Sequence, residues 1–152
     1  MSCLFNLSEC DYNSGDLSES IRLIEYLLEL NPGDNQGVRY ILSSHLLEAK
    51  EYDKYKKHSE ANSGDAGIFF KFNNSLFEFI SSGDSKTANK LLKEAIRHNK
   101  YVIPKLNRGS NMRSGSYSIG GKEEANYYCQ YNAKIWQATD GAIEWAEKLS
   151  KK

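Results

Sequence analysis

The chain has 152 residues, with 20 basic against 20 acidic side chains, 39% hydrophobic and 12% aromatic residues, two prolines and three cysteines. That is enough for one soluble globular domain spanning 1–152, burying about 70% of the surface its unfolded form exposes, and no apolar run approaches the roughly 18 residues of a membrane span. Acidic residues precede the first apolar run, unlike a secretory leader, so a cytoplasmic location is expected; Cys3, Cys10 and Cys129 are odd in number and lack C-x-x-C or zinc-ligand spacing, which argues against disulfides and a structural metal.

The balanced charge is unevenly spread. Residues 1–36 carry net −6, residues 37–99 net +2, residues 100–122 net +5 with no acid, and residues 123–152 net −1. A neutral total does not favour whole-protein attraction to DNA, but a local basic segment steers an acidic partner.

Taken in chain order, residues 1–98 read as three helix pairs. The turn Gly15-Asp16 recurs as Gly83-Asp84, 68 residues on, with a weaker copy at Lys50-Glu51. The separation is twice 34, the length of a helix–turn–helix repeat unit. In the first unit Leu4, Leu7, Ser8, Ser20, Ile24, Leu27 and Pro32 take large, small or helix-stopping places. Asn31-Pro32 ends a helix because a residue before proline avoids the α region, and Asp34 or Asn35 is then placed to cap the next one. The middle unit has a convincing first helix around Val38, Ile41, Leu42 and Leu46. Its second, Tyr52 to Ala61, is so rich in Lys and Glu that a short or frayed helix is expected. After Ser63-Gly64-Asp65 the third unit places Phe72, Leu76, Phe79, Ala88, Leu92 and Ala95 in register with the first.

From Tyr101 the repeat pattern stops and Pro104 breaks the chain. Residues 99–121 form a basic, Gly/Ser-rich connection, and residues 122–152 form two closing helices. The first, Lys122 to Ala138, turns Ala125, Tyr128, Cys129, Ile135 and Trp136 inward. The second, capped by Thr139 or Asp140, turns in Ala142, Trp145, Ala146 and Leu149.

These residues resemble the tetratricopeptide superfamily over residues 1–98. The stretch Asn99 to Trp145, with Val102, Pro104, Gly121, Glu124-Ala125, Tyr128, Trp136, Thr139, Gly141-Ala142 and Glu144-Trp145, is similar to the tail of a group of bacterial tetratricopeptide-like proteins. The match is degenerate: Leu4, Ser8 and Asp11 stand where the repeat has tryptophan, glycine and tyrosine. The resemblance implies an all-α, right-handed α-solenoid of about three helix pairs plus two C-terminal capping helices. It also implies a concave groove for a peptide or protein segment, and it does not imply an enzyme. The groove positions carried over are Phe5, Glu9 and Tyr12 from the first unit, Tyr40, Ser44 and Leu47 from the second, and Asn73, Phe77 and Ile80 from the third. Only Asn73 matches the Lys/Asn/Arg clamp that grips chaperone C-termini. An apolar or amphipathic protein segment is therefore the expected ligand, held by an adaptor.

Each feature also has a plainer reading. Phe69, Phe70, Phe72, Phe77 and Phe79 lie within eleven residues and suit a buried central helix, with Phe77 the one groove candidate. Tyr127, Tyr128, Tyr131, Trp136 and Trp145 either close the end of the solenoid or add a second contact surface; Tyr127 and Tyr131 are expected to stay exposed and able to occlude the groove. The basic residues Lys100, Lys105, Arg108, Arg113 and Lys122, with Tyr101 and Tyr117, make either a solvated connection or a binding loop for nucleic acid or an acidic partner. Acidic 1–36 and basic 100–122 also permit self-association.

No chemistry is legible. Gly120-Gly121-Lys122 fails the phosphate-loop spacing, with Glu123 where a hydroxyl is needed. His45, His58 and His98 are scattered without partners at catalytic spacing, and Glu123-Glu124 suit the first turn of a helix. Neither an active site nor a cofactor or metal site is expected.

Overall fold

A computed structural model of the chain describes residues 7, 10–12, 14–33, 37–107 and 121–151. Among these every regular element is a helix and no strand occurs. By its contacts the chain divides into two compact units, Met1–Asn62 and Ser63–Lys152. The division falls at the Ser63-Gly64-Asp65 punctuation. The first unit carries 6 basic and 11 acidic groups, net −5, and the second 14 and 9, net +5. Neutrality is thus the cancellation of two oppositely charged bodies.

In the first unit, helical residues 10–12 end in a two-bond turn: Gly15 N–H donates to the Tyr12 carbonyl at 3.1 Å and Asp16 N–H to the Asp11 carbonyl at 2.7 Å, with Gly15 at φ 95°. Asp16 then caps α1 (Leu17–Leu30), its carboxylate accepting from Glu19 N–H at 3.1 Å. Ser20, Ile21, Leu23, Ile24 and Leu27 are buried at helical spacing. The helix stops at Asn31, before Pro32.

Asp34 and Asn35 lie outside the described residues. The N-cap of α2 (Val38–Glu48) is Gly37, with no side-chain cap. Every residue from Ile41 to Leu47 is buried, and α1 and α3 both pack on this helix. The turn that follows repeats the earlier one bond for bond. Lys50 N–H donates to the Leu47 carbonyl at 3.1 Å and Glu51 N–H to the Leu46 carbonyl at 2.9 Å, with Lys50 at φ 60°.

The helix expected to be short or frayed, α3 (Tyr52–Ala61), runs its full ten residues. Its one buried residue is Tyr55, 0% exposed. Two links across helices supplement that anchor: Lys54 to Glu25 of α1 at 3.3 Å, and the His58 Nε2–H donating to the Arg39 carbonyl of α2 at 2.8 Å.

In the second unit α4 (Ile68–Ser82) and α5 (Lys86–His98) pack as a pair. Phe69, Phe70 and Phe72 are at most 2% exposed, while Phe77 and Phe79 are half-buried. The small Ala88 and Ala95, both 0% exposed, let the two helices approach. Gly83 turns the chain at φ 68°, and the Ser85 hydroxyl caps α5 by accepting from Ala88 N–H at 3.1 Å.

Pro104 does not break the chain. It sits within the single turn of α6 (Val102–Lys105), where an N–H has no intrahelical acceptor to lose. The Asn99 amide ties the end of α5 to the next helix, donating to the Gly121 carbonyl at 2.9 Å and to Glu124 Oε1 at 3.1 Å.

The closing helices are α7 (Lys122–Ala138) and α8 (Ala142–Ser150), and all nine residues expected to face inward are buried. Thr139 and Asp140 do not cap α8: Gly141 stands at its N-cap, and the Thr139 hydroxyl donates back to the Ile135 carbonyl at 2.8 Å. α7 packs on α4 and α6, and α8 on α5, α6 and α7. Phe79 stacks on Trp145 at 4.5 Å, and Phe69 meets Tyr127 and Tyr128 edge-on at 5.4 and 5.3 Å. The tail closes the third helix pair. Tyr131, expected at the surface, is 5% exposed, because it packs beside Phe69.

Candidate anionic-partner interface

The expected groove loses members when its residues are located. Phe5 and Glu9 lie outside the described residues. Ser44 and Asn73 are 0% exposed, so neither faces a ligand. The Ser44 hydroxyl reaches back to its own helix at the Tyr40 carbonyl, 3.5 Å away. The Asn73 Oδ1 accepts from the Tyr128 hydroxyl at 2.8 Å, and that hydroxyl accepts from Trp136 Nε1–H at 2.9 Å. The asparagine expected in the groove belongs instead to a buried chain of hydrogen bonds. Leu47 is 2% exposed as well. Tyr12, Tyr40 and Phe77 remain partly accessible. Tyr12 is stacked on His45 at 4.3 Å, and Tyr40 lies under the Arg39 guanidinium at 4.4 Å. In the first unit an open pocket of about 200 Å³ is lined by Glu25, Leu42, Leu46, Lys54, Lys57 and His58. Its leucine floor is 4% exposed or less, and Lys54, Glu25 and His58 are committed to the bonds given above.

The basic connection fares differently. Arg108 and Arg113 lie outside the described residues, but both ends of the segment are placed. Lys100 Nζ and Lys122 Nζ stand 5.4 and 5.6 Å from the Tyr101 ring centroid. The Asn99–Gly121 bond draws these ends together, so residues 22 apart in sequence present one cationic spot. Lys105 is half-buried near the Cys129 thiol, whose ionisation it favours.

A second group of cations lies on α5. Lys86, Lys90, Lys93 and Arg97 recur at spacings of four, three and four, which places them on one face of the helix over about 16 Å, and Lys100 follows three residues later. All five are exposed and none forms an ion pair among the described residues. Helix electrostatics accounts for Arg97 in the last turn but not for Lys86 and Lys90, where the dipole opposes cations. Like charges one turn apart cost about 0.2–0.5 kcal/mol per pair. The face therefore repels itself until an anion meets it. Beside Lys93 and Arg97 an open notch of about 260 Å³ has Ile96, Leu149 and Ser150 as its other walls. The K-x3-K-x2-K-x3-R spacing is present in the sequence, but the near neutrality of residues 37–99 as a block masks it. Glu94, half-buried beside the stripe, contributes to that cancellation.

The remaining titratable groups serve the fold. Burial holds the His45 imidazole down to about 4. Burial pushes the Cys129 thiol up to about 12, with Lys105 opposing. Glu124, expected merely to meet a helix dipole, is 5% exposed, accepts from Asn99 and lies 3.6 Å from His98 Nε2. Among the described residues no group of His, Cys, Asp and Glu side chains is placed to hold a metal ion, and no helix is long and apolar enough to cross a membrane. No family model, curated protein or solved structure matches the chain.

Proposed function

We propose that the chain is a non-enzymatic binding module that holds an acidic segment of a partner protein against the basic face of α5 and the Lys100–Tyr101–Lys122 spot. The observation that carries this reading is a one-sided row of exposed cations, without ion pairs among the described residues, running past a notch whose accessible apolar wall is the half-buried Ile96. An acidic peptide with an aliphatic or aromatic side chain satisfies both parts: its carboxylates relieve the repulsion along the stripe, and its apolar side chain covers the half-buried Ile96. A nucleic-acid backbone uses only the first, which places it second. In this reading the scaffold is a right-handed, tetratricopeptide-like solenoid of about three degenerate helix pairs with two capping helices. The recurrence at Lys50-Glu51 of the pair of turn hydrogen bonds made at Gly15-Asp16 supports it.

Fluorescence anisotropy of a labelled, helix-forming peptide of Glu and Leu tests the proposal. Binding is expected to weaken at least tenfold in Lys93→Glu/Arg97→Glu, to weaken as salt rises, and to persist in a control reversal at Lys56 and Lys57. Equal binding by the α5 variant sinks the reading. Tighter binding of oligothymidylate than of the peptide reassigns the face to nucleic acid.

A further inference from the structure

The site described above asks for an acidic helix that presents apolar side chains, and the chain itself carries one. Leu7, Tyr26 and Leu30 are the exposed large hydrophobic residues among those described, at 49%, 47% and 52%, and all belong to the acidic unit. Tyr26 and Leu30 lie one turn apart on α1, and beside them Glu25 and Glu29 lie one turn apart as well. Glu25 is engaged by Lys54, whereas Glu29 is exposed and makes no ion pair among the described residues. The inward residues of α1 are already buried, so this outer edge is surplus to the packing of its own unit.

We infer that the partner segment is the Tyr26–Leu30 edge of α1 from a second copy of this chain. Resting on the proposed function, the inference names the occupant of the same site. Tyr26 and Leu30 of one copy pack on the half-buried Ile96 at the notch of the next, and Glu29 meets Lys93 and Arg97. The partition of charge, net −5 on one unit and net +5 on the other, steers the encounter in that direction alone, because like units repel. The contact joins two different surfaces and is therefore head-to-tail: each copy retains one unused donor edge and one unused acceptor notch, so assembly propagates or closes into a ring. Two apolar side chains and one carboxylate set between two cations fall well short of the roughly 1,200 Å² of a stable complex, so association is weak and salt-sensitive.

Sedimentation velocity of the full chain over about 10 to 500 µM, at low and high salt, tests this. Two variants change exposed side chains only: Tyr26→Ser/Leu30→Ser removes the donor edge, and Lys93→Glu/Arg97→Glu removes the acceptor, with circular dichroism confirming that both stay folded. Wild type is expected to form a concentration-dependent series lost at high salt. Each variant alone is expected to remain monomeric, and their equimolar mixture to stop at dimers, since each supplies the one surface the other lacks. A monomeric wild type at the highest concentration, either variant assembling like wild type, or a monomeric mixture overturns the inference. The Glu/Leu peptide separates the two levels: a wild type that binds the peptide yet stays monomeric has the binding face without this partner, and one that does neither loses both.

Discussion

Tyr128 and Asn73, 55 residues apart, are joined by a 2.8 Å hydrogen bond that fastens the first closing helix to the third helix pair. The Tyr128 hydroxyl also accepts from Trp136 Nε1–H at 2.9 Å, so one oxygen satisfies two buried groups. Tyr128→Phe keeps the ring against Phe69 and Phe72 and removes only that oxygen. A loss of about 3 kcal/mol is expected in urea unfolding, because two buried polar groups lose a partner together. A loss below about 1 kcal/mol means that the network is not holding the tail.

The recurring turns give a prediction with two signs. Lys50 occupies with a side chain the left-handed backbone that Gly15 occupies without one, and the two turns make the same pair of hydrogen bonds. Lys50→Gly is expected to stabilise by about 1 kcal/mol, since a side chain in the left-handed region costs about that much. Gly83→Ala, at φ 68° and ψ −150° where essentially only glycine is found, is expected to lose about 1–3 kcal/mol through the backbone alone, because nothing lies within 4 Å of the added carbon. Denaturation midpoints of the two variants should move in opposite directions.

These turns also show what the sequence made legible. A helix-stopping turn needs a special residue at a fixed place, so Gly15, Lys50 and Gly83 announce themselves by spacing. The faces of α7 and α8 do so by periodicity, and there Tyr128, Trp136 and Trp145 are buried as expected. The groove was harder to locate because burial depends on what arrives from elsewhere in the chain. Asn73 carries a polar side chain on a helix face that, in the resembled family, is open. Only the position of Tyr128 shows that this end is taken. The basic face was missed for a different reason. Block sums of charge hide a stripe whose period is that of the helix.

The pH dependence of stability should carry the signature of His45. Burial holds the folded imidazole down to about 4 from an ordinary 6.5, so between those values the unfolded chain binds a proton that the folded chain refuses. Stability therefore falls as pH drops from 7 toward 4, by up to roughly 3 kcal/mol from this group. Glu48, raised by burial, opposes it: its folded form takes a proton more readily, which adds stability as pH falls. The clean readout is the difference between wild type and His45→Phe, which retains a ring against Tyr12 but cannot titrate. The stability of wild type relative to the variant should fall steadily from pH 7 to pH 4. A difference independent of pH contradicts a neutral buried His45.

Reversing the N-terminal part of the α5 stripe separates binding from folding. Lys86→Glu/Lys90→Glu relieves like-charge contacts and places anions where the helix dipole favours them. A gain of about 0.5–1 kcal/mol in stability is expected. The same variant should bind the acidic peptide several-fold more weakly. Weaker binding by a more stable protein leaves misfolding no part in the result, and unchanged binding removes this half of α5 from the interface.

Cys129 offers a direct report on the second unit. Its thiol is 2% exposed, donates weakly to the Val102 carbonyl at 3.8 Å, and is pushed up to about 12 by burial. In a Cys3→Ser/Cys10→Ser variant it is the sole thiol, and a disulfide reagent at pH 8 reaches it only when the unit opens. When opening and closing are fast relative to labelling, the rate follows the open population. Adding Tyr128→Phe, at about 3 kcal/mol, should then speed labelling about 100-fold, whereas His45→Phe, in the other unit, should leave it nearly unchanged if the two units open independently. Labelling of Cys129 in the native chain as fast as that of the exposed Cys10 contradicts its burial.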